Sequence, residues 1–186
     1  MKIKDIIMRC LRYAGREDIN AKLTSGEELD GEQAEAVETL LYCVNAVEDE
    51  LARCYFPLVT SESMKNSEGV YLYSLFMRKP VRIISVKSNG KDVKYTAEAS
   101  KLLTDATDIK VKYEYSPDKK ELDGVSELDG KKVNEKMLAA GAASEFFLIN
   151  GEMQQAEFWD GVYNGEIDRV RRKGFAEIRF PDRRWV

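Results

Sequence analysis

The 186-residue sequence predicts an α+β chain, mainly α-helical: a bundle of about four helices with an inserted small antiparallel β-module and a C-terminal extended arm. Three observations lead there. Apolar residues recur at helical spacing near both ends, apolar and polar residues alternate in the middle, and the residues after Gly174 fit neither helical pattern. Hydrophobic residues make up 44% of the chain and charged residues 33%, so a core and a solvated exterior are both affordable. The length predicts one domain over 1–173, followed by a basic and aromatic arm over 174–186.

The first helix is expected over about 3–14. Ile3, Ile6, Ile7, Cys10, Leu11 and Ala14 form one continuous stripe, and Gly15 stands where a left-handed C-cap belongs. A polar connection without strong pattern follows from Arg16 to Leu29. A second, longer helix is expected over 30–54. Asp30 can accept from the first-turn amides while Gln33 reaches back, and its stripe is Val37, Leu40, Leu41, Val44, Val47 and Leu51. Pro57 forces an end by Phe56.

The period then changes, and the β-module is placed at about 57–117. Tyr71, Tyr73, Leu75 and Met77 alternate before Pro80. Val81 to Val86 reads as a strand, Asn89-Gly90 supplies a two-residue hairpin turn, and Asp92 to Ala97 is expected to return along that strand. Asp108 to Tyr115 is the clearest strand, with Ile109, Val111, Tyr113 and Tyr115 on one face. Two more helices are expected over 134–149 and 152–173. The first is Ala-rich and stops at Asn150-Gly151, and the second carries Ala156, Trp159, Tyr163, Ile167 and Val170 at helical spacing.

Charge is unevenly spread under a net −4. Residues 1–16 hold five bases against one acid, 17–50 hold eleven acids against Lys22 alone, and 169–186 hold seven bases against two acids. Beyond Gly174, alternation puts Phe175, Glu177 and Arg179 on one face of an extended segment and Ala176, Ile178 and Phe180 on the other. A strand that short needs a sheet to join, in its own chain or another. Its aromatic and arginine content suits a protein contact; internal packing and disorder are the alternatives.

Much chemistry is excluded. There is no histidine, which removes Ser–His–Asp and Cys–His catalysis and His-ligated zinc. Cys10, Cys43 and Cys54 contain no CxxC pair and read as small buried hydrophobes in a reducing compartment. No GxxxxGK[ST], GxGxxG or GxSxG occurs. Glu-Leu-Asp-Gly appears at 28–31, 121–124 and 127–130, where turn and helix-entry chemistry accounts for it better than a calcium loop. Neither a membrane span nor a signal-peptide core is present in the pattern. No catalytic site is visible in the sequence, and neither a cofactor nor a metal is expected.

The order of elements resembles the head-to-tail adaptor (connector) proteins of tailed bacteriophages, the ring-forming family that includes podovirus tail-tubular adaptors. Leu51 to Pro57 looks like the exit of the family's long helix, Ile109 to Tyr115 like its closing strand, and Ala139 to Leu148 like its Ala-rich helix. The basic aromatic tail departs from the pattern. The resemblance implies a non-enzymatic protein, a homo-oligomeric ring beneath the portal that bridges it to the tail or stopper proteins and continues the DNA channel, with no specific DNA binding. It implies a virion location at the head–tail junction, reached from the host cytoplasm, and the isolated protein is compatible with a monomer. On that reading Ile178, Arg179, Phe180, Arg183, Arg184 and Trp185 contact the portal or a neighbouring protomer, and Glu32, Glu35, Glu38 and Glu48 are candidates for the channel lining. Two alternatives stand beside it: a small nucleic-acid-binding or regulatory protein of phage origin, and a carboxylate enzyme using a divalent metal.

Overall fold

The computed structural model describes residues 1–128 and 132–176, which divide into two compact units. Of the described residues, 1–48 and those from 119 onward make a helical unit, and 49–118 make a β unit.

In the helical unit, α1 (Ile3–Tyr13) buries the expected stripe of Ile3, Ile6, Ile7, Cys10 and Leu11, and Gly15 follows at φ +67°. The connection expected after it is instead a helix, α2 (Glu17–Ser25), ended by left-handed Gly26. Only Ile19 and Leu23 of α2 are buried, one pair at i, i+4, which is too little apolar repetition to mark a helix.

The next helix, α3 (Gly31–Glu50), begins with the anticipated reciprocal cap. The Gln33 amide donates to Asp30 Oδ1 at 2.9 Å, and the Asp30 amide donates to Gln33 Oε1 at 3.3 Å. Gln33 is buried and also ties α2 down: its Oε1 accepts from Lys22 Nζ at 2.8 Å and its Nε2 donates to Asp18 Oδ2 at 3.0 Å.

Asn134 caps α4 (Glu135–Ile149), its side chain accepting from the Met137 amide. Nine of the fifteen residues of α4 are buried, so the helix is enclosed rather than half-solvated. Arg9 reaches Glu135 at 2.6 Å from α1, and the Cys10 thiol donates to the Ala139 carbonyl at 3.4 Å. The last helix, α5 (Met153–Ala176), packs on α4 through Ala156, Tyr163 and Ile167. Tyr13 stacks on Trp159 with ring centroids 4.0 Å apart. Gly141 is where small size is required, because a Cβ there would lie 2.8 Å from Val47 Cγ1 and 3.0 Å from the Tyr163 ring.

The β unit begins where α3 loosens into a π-helical turn, Leu51–Tyr55, before Pro57. Arg53 holds this exit, donating to Asp49 at 2.9 Å and to Ser116 Oγ at 3.1 Å. Seven strands follow: β1 (Leu58–Lys65), β2 (Val70–Leu72), β3 (Pro80–Ser88), β4 (Lys91–Asp92), β5 (Thr96–Ala97), β6 (Lys101–Leu103) and β7 (Asp108–Tyr115). They form two antiparallel sheets, one ordered β1-β7-β3-β4 and one ordered β2-β6-β5. Ile109, Val111 and Tyr113 of β7 face the core as their alternation required, joined by Tyr71, Phe76, Val86 and Leu102.

These sheets correct the expected fold class. The described helices lie toward the two ends of the chain and two sheets occupy its middle, so the protein is not a helical bundle with a small β insert. The middle was underestimated because β1 puts Thr60 and Glu62 on its half-buried face beside Leu58 and Met64, so it shows no apolar alternation. A second correction concerns the return strand. Asp92 to Ala97 does not run back along β3; pairing stops near Val93, and Thr96-Ala97 joins β6 instead. A third is Cys54, which is exposed, while Cys10 and Cys43 are buried.

Two of the helical glycines, Gly141 and Gly161, should respond oppositely to alanine. Gly141→Ala overpacks the α3–α4–α5 contact and is expected to cost about 1–3 kcal/mol. Gly161→Ala meets open space and should add about 0.5–1 kcal/mol. Urea unfolding of both variants checks the contrast.

Candidate functional site

Of the acidic residues proposed to line a channel, Glu32, Glu35 and Glu38 are exposed on α3. Glu32 lies 3.6 Å from Arg16. Glu48 is different and leaves that set. It is only 1% exposed: Oε1 accepts from Ser126 Oγ at 2.6 Å and from the Glu127 amide at 2.8 Å. Its Oε2 is buried without a hydrogen-bond partner among the described residues. One turn earlier, Asn45 accepts from the Lys120 amide at 2.6 Å and donates to the Lys120 carbonyl at 3.0 Å. Glu48 and Asn45 therefore hold the segment after residue 118 against α3. The second Glu-Leu-Asp-Gly belongs to that segment as a turn, the Gly124 amide donating to the Glu121 carbonyl at 2.9 Å. The first supplies the Asp30 cap, and the third falls partly outside the described residues.

Ile178, Arg179, Phe180, Arg183, Arg184 and Trp185 all lie outside the described residues. Of the arm, only residues 174–176 fall within them, as the last residues of α5.

Nucleophilic chemistry is disfavoured at the two buried thiols. Burial pushes the Cys10 thiol far up, and it pushes Cys43 up to about 12, so neither forms a thiolate near neutral pH. Among the described residues, no group of three or more Cys, Asp or Glu side chains is placed to hold a metal ion, and no helix is long and apolar enough to cross a membrane.

The surface that stands out belongs to the β unit. Leu72, Leu75, Met77, Val81 and Ile84 are all exposed within one stretch of chain, Leu75 at 66% and Met77 at 81%. Solvated apolar side chains gathered this way mark contact surfaces. The stretch is held in place. The Tyr113 hydroxyl donates to Glu62 Oε1 at 2.7 Å and accepts from the Arg78 amide at 3.3 Å, while the Met77 amide donates to Glu62 Oε2 at 3.1 Å. Burial, then the Glu62 bond, pushes the Tyr113 hydroxyl up to about 12 and keeps it a donor. The Arg78 guanidinium pairs with Asp118 and sits over the Tyr115 ring, 5.5 Å from its centroid.

The next run, Lys79 to Ile83, lines a cleft of about 470 Å³ together with Tyr73, Tyr95 and residues 97–99. Sequence reasoning named none of these as site residues. The exposed apolar run was the available signal, but it read as one face of a strand. The sequence matches no protein-family model and no curated protein.

Glu48→Ala is expected to lower stability by about 2–4 kcal/mol in urea unfolding, because it strips the acceptor from two buried donors. Glu48→Gln should cost markedly less, since an amide oxygen can keep both. Equal losses would show that the two hydrogen bonds contribute nothing.

Proposed function

We propose that the chain is a structural connector of a tailed-bacteriophage head–tail junction, a ring-forming adaptor that joins the portal to the tail and continues the DNA channel. The order of elements carries the reading. A long helix passes through a loosened last turn into a β unit, and the chain comes back through an enclosed Ala-rich helix under a final helix. The enlarged β part and the added helix α2 alter the proportions expected of such a protein, while the long helix, β unit, Ala-rich helix and final helix follow one another in the expected order. The exposed apolar run at 72–84 adds support, because it gives the β unit a surface suited to another protein.

In a ring, each copy offers one patch to a different patch of the next, and closure comes from the rotation between them. Glu32, Glu35 and Glu38 then serve as channel lining, where negative charge keeps passing phosphates from adhering. The arm after α5 reaches the portal or the next protomer, with Ile178, Phe180 and Trp185 as apolar anchors and Arg179, Arg183 and Arg184 meeting carboxylates.

Light scattering over a concentration series, with and without the neighbouring portal protein, tests the reading. A closed ring, or a monomer that joins the portal stoichiometrically, is expected, and removal of 177–186 should abolish ring closure or recruitment while leaving the unfolding transition intact. A monomer that ignores the portal and binds duplex DNA with steep salt dependence would replace this reading with the nucleic-acid one. In assembled rings, replacing Glu32, Glu35 and Glu38 with lysine should raise low-salt affinity for duplex DNA at least tenfold; unchanged affinity places these residues outside the channel.

A further inference from the structure

The β unit contains a hairpin that opens partway. β3 and the chain after Asn89-Gly90 are zipped only near the turn: Lys87 pairs with Asp92, Ser88 with Lys91, and the Val93 amide donates to the Val86 carbonyl at 3.0 Å. Beyond that the two arms separate. From Pro80 to Ser85, β3 keeps β7 on one side and has no strand on the other among the described residues. The opposite arm turns away, and its Thr96-Ala97 pairs with β6 as the last strand of the other sheet. Each sheet thus ends in an open edge, and both edges line the same cleft: Pro80 to Ile83 on one side, Ala97 to Ala99 on the other.

Native sheets usually close or blunt such edges, because unpaired N–H and C=O groups invite another strand. Pro80, Arg82 and two register shifts against β7, between Pro80 and Arg82 and again between Ile83 and Ser85, blunt this edge only in part: the shifts leave Val81 and Ile84 without a partner on β7. Both are apolar and stay 48% and 40% exposed, and Tyr95 across the cleft is 38% exposed. Side chains on a free edge facing water throughout are normally polar. Apolar ones here point to a surface that is covered in the working state.

We infer that the cleft between β3 and β5 receives residues 177–186 of a second copy as an added strand, joining the two sheets of the β unit into one. Three properties select this segment. Its alternation puts Ile178 and Phe180 on one face and Glu177 and Arg179 on the other, so one face can cover Val81 and Tyr95 of the cleft while the other stays polar. The four residues 177–180 span about 13 Å when extended, within the roughly 20 Å of the edge from Pro80 to Ser85. Pro181, which cannot donate to a ladder, follows Phe180 and limits the paired run to the residues before it. Main-chain pairing gives such a contact its affinity and the alternate side chains give it selectivity.

The inference deepens the connector reading, which supplies the neighbouring copy, and it names the seat of the arm as a second protomer rather than the portal. Two differently tagged chains test it, both carrying Cys54→Ser so that the remaining native thiols are buried. One carries Ile178→Cys and the other Val81→Cys, and a short bismaleimide joins them, first alone over a concentration series and then on the portal. The expected result is a cross-link between the two tags. Excess synthetic peptide of residues 175–186 should reduce it at least tenfold, and the same peptide with Ile178→Asp and Phe180→Asp should not.

Replacing Val81→Cys with Val125→Cys, an exposed apolar position of the helical unit, supplies the background yield. A yield no higher than that background, alone and on the portal, overturns the inference. So does a cross-link that the native-sequence peptide leaves unchanged, or one formed only within a single chain carrying both cysteines. Portal recruitment without the cross-link keeps the connector and removes the strand docking; a peptide-sensitive cross-link without recruitment keeps the docking and removes the connector.

Discussion

Everything after residue 118 depends on how α3 receives the returning chain. Two side chains on successive turns do this: Asn45 closes on both polar groups of the Lys120 backbone, and Glu48 takes the Ser126 hydroxyl and the Glu127 amide. The first residues of the chain add a third fastening, with the Ile3 amide donating to the Gly124 carbonyl and the Ser126 amide to the Met1 carbonyl. Once this segment is fixed, α4 enters against α1, α3 and α5, and the small side chains of Ala139 to Ala143 let all of them come close. A buried carboxylate is an expensive fastener unless it is hydrogen-bonded, and here one oxygen accepts both donors while the other accepts none.

Part of this was legible in the sequence. Stripes of six apolar residues fixed α1 and α3, the Asp30–Gln33 pair marked the start of α3, and Asn150-Gly151 marked the end of α4. What was hidden has a common cause, which is that tertiary partners supplied the missing pattern. α2 has two buried apolar residues and is completed by the polar fastening of Lys22 and Asp18 to Gln33. β1 turns Glu62 toward the half-buried side because Tyr113 and the Met77 amide wait there to bond it.

The candidate site shows the same division. Glu48 looked like its solvated neighbours Glu32, Glu35 and Glu38, because charge alone does not say which turn of a helix will meet a returning chain. The hairpin turn at Asn89-Gly90 was readable, and its opening was not. Nothing in Val93 to Ala97 announces that β6, met later in the chain, will outcompete β3 for the same strand.

The division into units also orders events in time. The β unit is continuous from 49 to 118, whereas the helical unit is assembled from segments on either side of it. On a ribosome, α1, α2 and most of α3 emerge before α4, which packs against α1 and α3, has been made. At about 5–20 residues per second, synthesis of the intervening β unit keeps them waiting roughly 4–14 s. The stripe of Ile3, Ile6, Ile7 and Leu11 lacks its α4 cover through that interval, during which the β unit can already close around Tyr113. The nascent chain thus carries an unsatisfied apolar helix beside a finished domain, the state a chaperone would meet.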